Sequence, residues 1–227
     1  MKVGLAALVA ALACAAALAP SGGATNECRG ITQCIHVPGP WVYLPPHGTA
    51  EYLLSCPSGR GVVGGLDAQA TSSDVRVEFV GRLGSPVQPG TTTSTAALFR
   101  GVSVSPRPQA FQPLIGCIPV QGGGGRSTVS ARITRPGPSP EYRARIAVVG
   151  PGQVRVARIA CKPSEQLVGS WTVLAFRVKK PPLLQSGTLV DVSKVVLRKQ
   201  VVATAAATDG LSVDAHAVVQ VGAGCAP

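Results

Sequence analysis

The sequence predicts an all-β protein made of two tandem homologous antiparallel β-sandwich modules, each closed by one internal disulfide. Three observations carry this expectation. First, a stretch occurs twice: Trp41 to Leu66, WVYLPPHGTAEYLLSCPSGRGVVGGL, and Ile146 to Trp171, IAVVGPGQVRVARIACKPSEQLVGSW. The copies align without a gap, which sets Pro46 on Pro151, Cys56 on Cys161, Val63 on Val168 and Gly64 on Gly169. Second, each copy later reaches a Gly-Cys-X-Pro, Gly116 to Pro119 and Gly224 to Pro227. Third, the chain holds 27 Gly and 20 Pro, is rich in valine and is poor in helix-forming Glu and Lys, a balance that favours short strands and turns. Aromatic residues are only 4% of the chain, so the cores must be built from Val, Leu, Ile and Ala.

Residues 1–24 are expected to be a secretory signal peptide. A Met-Lys start, an uncharged stretch from Val3 to Leu18 and the small residues Gly22 and Ala24 fit that pattern. The rival, a lipid on Cys14, has a poor motif in Ala11-Leu-Ala13. The stretch is short for a membrane span, and no later one is long and apolar enough. The mature protein is therefore expected to be secreted or at the cell surface, with no transmembrane segment.

Residues 25–36 are expected to form a small loop closed by Cys28 and Cys34. The first module, 37–121, opens with Trp41–Leu44, a Pro45-Pro-His-Gly48 turn and a returning strand from Thr49 to Cys56. The second, 127–227, has Tyr142–Val149, a Gly150-Pro-Gly-Gln153 turn and Val154–Cys161. Both are expected to be hairpins. Asp74–Gly81 alternates apolar with polar residues, as a half-buried strand does, and Thr172–Val178 is its expected counterpart. Ala96–Val104 and Ala110–Cys117 close the first module. Gly122–Gly125, within a linker at 122–126, has the composition of a flexible joint. Ser127–Arg135, Leu189–Val202 and Leu211–Val221 are the remaining expected strands. The modules are immunoglobulin-like in general character only, because no tryptophan stands midway between the paired cysteines.

Export of the chain would leave six cysteines, an even number that points to disulfides. The repeat selects Cys56–Cys117 and Cys161–Cys225 and leaves Cys28 with Cys34. No cysteine spacing fits a zinc site, and no metal is expected.

Charge is uneven. Residues 25–125 hold 6 Lys/Arg and 5 Asp/Glu, whereas residues 126–227 hold 14 and 5. The basic character of the chain, +11 overall, thus belongs to the second module. Arg143, Arg145, Arg155 and Arg158 flank its first turn, and Lys179-Lys180 and Arg198-Lys199 add two clusters. If Val149 paired with Val154, Arg145 would oppose Arg158 on one face, an arrangement easier to hold with an anion between them. These four arginines are the candidate anion-binding residues. The expected partner is an anionic cell-envelope polymer or another extracellular partner. Nucleic acid is not expected, because the basic residues are not interleaved with stacking aromatics.

No cofactor is expected. Gly59-Arg-Gly61-Val-Val-Gly64 matches a dinucleotide-binding pattern, but no helical run follows it and the second copy lacks two of its glycines. Trp41 and Trp171 align with Ile146 and Leu66, so they are core positions before they are sugar platforms. Among His36, His47 and His216, only His216 has an acid nearby, Asp214 on the same expected strand face. No hydrolase motif accompanies it. The sequence thus predicts an exported, non-catalytic binding or structural protein. The alternatives are a secreted hydrolase using Asp214 and His216, or a protease inhibitor presenting the loop Pro86–Ser94.

Overall fold

The computed structural model describes residues 35–57, 61–80, 91–92, 95–119, 132–133 and 140–227. The expected signal peptide, the Cys28–Cys34 pair, the glycine joint and most of the loop from Pro86 to Ser94 lie outside them.

The chain is nearly all β. The first part runs β1 (Ile35–Pro38), β2 (Trp41–Leu44), β3 (Thr49–Ser55), β4 (Gly61–Ala70), β5 (Val75–Val80), β6 (Thr91–Thr92), β7 (Ala96–Ser103) and β8 (Gln109–Pro119). After β9 (Arg132–Ile133) come β10 (Glu141–Val148), β11 (Val154–Ala160), β12 (Gln166–Phe176), β13 (Val190–Val196), β14 (Gln200–Ala207) and β15 (Ala217–Ala226). Among the described residues all pairings are antiparallel except the short pair of β6 and β9.

Each half carries the same set of pairings. In the first, β8 lies between β4 and the broken strand β1–β2, while β7 lies between β3 and β5. In the second, β15 lies between β12 and β10, while β14 lies between β11 and β13. The disulfides join Cys56 to Cys117 and Cys161 to Cys225, with Cα atoms 5.8 and 5.6 Å apart, in the pairing that the sequence selected.

The hairpins expected at both turns are not formed. β2 pairs with β8 while β3 pairs with β7, and β10 pairs with β15 while β11 pairs with β14. The turn carries the chain from one sheet to the facing one. Its chemistry explains this. Gly48 N donates to Pro45 O at 3.0 Å and Gln153 N to Gly150 O at 3.1 Å. Proline occupies the second position, and the third has positive φ, 49° at His47 and 63° at Gly152. That is a type II turn, whose twist splays two flanking strands instead of pairing them. Gly152 is suited to this conformation and His47 is not. Gly152→Ala should cost about 1–2 kcal/mol, since the new methyl also meets Asp209 Oδ1 at 2.3 Å, and His47→Gly should be neutral or stabilising. Urea unfolding of the two variants tests the pair of expectations; equal losses would count against it.

Three further boundaries differ from expectation. Thr172–Phe176 continues β12, and the strand at β5's place in the second half is β13. Leu189–Val202 is not one strand: β13 and β14 form a hairpin closed by Leu197 N donating to Gln200 O at 2.7 Å, over residues without a Gly or Pro signal. Leu211–Val221 begins with a 3-10 turn over Val213–Ala215, so its strand starts only at Ala217.

β4 and β12 each carry a β-bulge. Val63 stands opposite Cys117 and Gly65 opposite Gly116; Leu167 stands opposite Cys225 and Gly169 opposite Gly224. The bulged residue is Gly64 in one half and Val168 in the other. The loop after the cysteine is one residue shorter in the second half, so the gapless alignment slips by one there. Trp171 accordingly takes the place of Asp67, not of Leu66. Its ring lies over Gly222 of β15, where an added Cβ would sit 1.9 Å from it.

The halves share one sheet. Ala175 pairs with Val42 and Phe176 with Trp41, which gives the order β4-β8-β2-β12-β15-β10. Two cores lie on opposite faces of this sheet. Trp171, Val173, Ala175 and Val218 pack with Val42, Leu44, Phe111 and the β3–β7 layer. Leu174, Phe176, Val219 and Val221 pack with Ala157, Val201, Ala203 and Ala205 of the β11–β14 layer. β12 and β15 are therefore buried on both faces, which explains why VLAF and AVV are continuous apolar runs and do not alternate.

Candidate functional site

The structure separates the four arginines that the sequence grouped. Arg145 stands opposite Val221 and Arg158 opposite Val202, so they do not oppose each other. Side chains alternate along a strand, and Ala157 of β11 is buried, so its neighbour Arg158 points outward from the second core. Arg145 belongs to the face of β10 that looks toward that core. The cause is the same as for the missing hairpin: β10 and β11 lie in different sheets.

Arg143 is neutralised. Its Nη1 and Nη2 donate to Glu165 Oε2 and Oε1 at 2.6 and 2.8 Å, and Nη2 also donates to Glu141 at 2.6 Å. Glu165 Oε2 accepts in addition from Lys162 N at 2.8 Å. This two-pronged pair ties the turn after Cys161 to β10. The arginine holds the Glu165 carboxyl at about 2, and the glutamates hold the guanidinium above its ordinary value. Since the carboxyl is depressed when folded, the pair stabilises above the ordinary value of 4.5 and is lost as pH falls through about 2. Glu165→Gln should flatten the pH dependence of stability between those limits, which acid titration of urea midpoints would show; an unchanged slope would refute it. Arg155 Nη2 donates to Gln153 Oε1 at 2.9 Å. Arg145 and Arg158 make no ion pair among the described residues.

The other sequence candidates are dispersed. Asp214 and His216 sit exposed on and just after the 3-10 turn, not together on a strand face, and Asp214 N instead donates to Ser212 Oγ. Gly61 opens a strand and no helix, so the glycine pattern cannot present a phosphate to a helix terminus. Trp41 and Trp171 are both buried, as expected, but not for the reason that the repeat gave: Ile146, the equivalent of Trp41, and Asp67, whose place Trp171 takes, are both exposed. His36 lies on β1 opposite Gly116. Cys161, Glu165 and Cys225 stand within ligand distance of one another, but the sulfurs are joined and the carboxylate is held by Arg143.

A groove of about 920 Å³ lies between the halves. Its walls are the edge of β3 (Tyr52 to Ser55), β10 (Tyr142 to Ala144 and Ile146) and the bend Pro38-Gly-Pro40. Arg177, Val178 and Lys179, just beyond β12, close one end. Among the described residues no acidic side chain lines it. Arg177 and Lys179 are exposed and make no ion pair among the described residues. Tyr52 is buried, and its phenol is pushed up to about 12 by that burial, with Arg177 pulling the other way. Arg177 and Tyr52 thus face a common space. In the sequence Lys179 stands out as one of a lysine pair, and no local signal marks Arg177 or Tyr52.

The floor of the groove is Gln220, which is 1% exposed. Its Oε1 accepts from Leu53 N at 2.8 Å and from Trp171 Nε1 at 3.1 Å, and its Nε2 donates to Leu53 O at 3.0 Å. The amide from β15 thereby replaces a neighbouring strand at the edge of β3 and fixes the groove's two walls relative to each other. A second cavity, of about 340 Å³, lies between Tyr43, Thr172 and Lys194. Thr172 Oγ1 and, elsewhere, Trp41 Nε1 are buried without a hydrogen-bond partner among the described residues.

Neither a family model, nor a curated protein, nor a solved structure matches the chain.

Proposed function

We propose that this is an exported, non-catalytic binding protein, built from a duplicated β module, that holds an anionic ligand in the groove between its halves. The observation that carries the reading is the lining of that groove: Arg177 and Lys179 at one end, the Tyr52 phenol beside them, and no acid among the described residues to neutralise them. Two unpaired cations at the mouth of a partly apolar cleft favour a ligand that carries carboxylate or phosphate groups. Export is supported by the two disulfides, which persist outside the reducing cytoplasm. An anionic envelope polymer remains the natural class of ligand for such a protein.

The test is retention on immobilised polygalacturonate and polyglutamate, with neutral dextran as control. Retention should weaken steeply with salt. Arg177→Ala with Lys179→Ala should weaken it by about tenfold or more, the scale of one or two charge-assisted contacts. Arg145→Ala with Arg158→Ala should leave it nearly unchanged. The reverse pattern would move binding to the outer surface of the second half and overturn the groove.

A further inference from the structure

The groove is charged at one end and apolar along its length. β10 and β12 flank β15 and run in the same direction; Ala144 and Trp171 both stand opposite Gly222. Ala144 is therefore six residues short of the level of Arg177, roughly 20 Å along the strands. Between those levels β10 turns Ala144 and Ile146 into the groove, and Val148 continues the same face. β3 is the edge of its layer, and this face is left open among the described residues: Ile146 is 38% and Val148 59% exposed. The amide groups along this length are already engaged. Gln220 holds the N–H and C=O of Leu53 and the Trp171 indole. At the bend, Gly39 N donates to Pro113 O and Gly39 O accepts from Gln112 Nε2, both at 2.8 Å, while Pro38 and Pro40 have no amide hydrogen. The Arg143 guanidinium is held by Glu165 and Glu141.

We propose that the groove takes a single-chain anionic amphiphile. Its carboxylate or phosphate head meets Arg177 and Lys179, and its alkyl chain lies over Ala144 and Ile146, against Leu54 and Pro40. The proposal rests on the anionic-groove reading and specifies its ligand. A polyuronate can meet the two cations. Beyond them its further charges and hydroxyls would face apolar side chains and engaged amides, at a desolvation cost that an alkyl chain does not carry. The volume of about 920 Å³ also falls within the range of about 300–1,000 Å³ in which small molecules are held, by mainly apolar walls and a few placed polar groups.

Titration calorimetry with monomeric octyl, decyl and dodecyl phosphate tests this, with decanoate as a second anionic head and decyl glucoside as a neutral one. Each added methylene should tighten binding by about two- to fourfold, the upper figure being that of full burial. Decyl phosphate and decanoate should both bind, the tighter of them marking a phospholipid or a fatty-acid source, and decyl glucoside should bind about tenfold or more weakly. Arg177→Ala with Lys179→Ala should weaken the charged ligands by about tenfold and keep the gain per methylene. Ile146→Ser, at an exposed position, should lower that gain and leave retention on polygalacturonate unchanged. If polygalacturonate is retained through Arg177 and Lys179 but affinity does not rise with chain length, the anionic groove stands and the amphiphile is wrong. If phosphatidylglycerol vesicles bind and the monomeric phosphates do not, the surface docks on a membrane and the amphiphile is again wrong. If neither polymer nor amphiphile binds, both readings fall.

Discussion

Replacing Gln220 by leucine is expected to lower the unfolding free energy by roughly 3 kcal/mol or more. The side chain satisfies three buried groups: the N–H and C=O of Leu53 and the indole N–H of Trp171. Each buried group left without a partner costs about 1–3 kcal/mol, and leucine restores none of them. Its apolar volume offsets part of the loss, because the neighbours are Leu53 and Val218. Gln220→Glu should be at least as severe at neutral pH. The carboxylate can accept from Leu53 N and Trp171 Nε1, but it cannot donate to Leu53 O, and it places a charge in the core. Chemical denaturation measures both variants. A loss under about 1 kcal/mol in Gln220→Leu would show that water takes over the role of the amide.

The second large effect is expected on removing a disulfide. Cys161–Cys225 spans 64 residues and Cys56–Cys117 spans 61, so the chain-entropy model gives about 4 kcal/mol for each. The form of the transition is as informative as its midpoint. Two separate modules on a flexible joint would unfold in two steps, and loss of one bridge would move only one of them. Here β12 and β15 supply residues to both cores, and β2 pairs directly with β12. Cys161→Ala with Cys225→Ala should therefore lower the stability of the whole protein in a single step. Calorimetry that resolves two transitions, only one of them shifted, would contradict the shared sheet.

Much of the β framework was legible. The positions of β3, β5, β7, β8 and β11 follow from alternation and turn residues to within a residue or two. The hairpin turn between β13 and β14 was not legible, because Leu197-Arg-Lys-Gln200 lacks glycine and proline. Of the candidate site, only basicity could be read. Arg143 looked like the other arginines of its strand, yet its charge is cancelled by Glu165, which lies beyond the next strand in sequence. Gln220 sits in a run of valines and alanines, where nothing local distinguishes a buried clamp from a surface amide.

By itself the sequence determined the β class, the two disulfide pairings and the paired proline turns. Each of these is fixed by local chemistry or by the equivalence of two copies. Proline and a left-handed residue set a turn wherever they occur, and equivalent cysteines must pair equivalently. Only the tertiary structure decided that the turns cross between sheets, that the halves join through β2 and β12, and that a groove opens between β3 and β10. A period of two tells which face of a strand is buried, not which strand lies beside it. The choice of neighbour is made by long-range packing, and in β12 and β15, buried on both faces, that choice placed the candidate site between the halves.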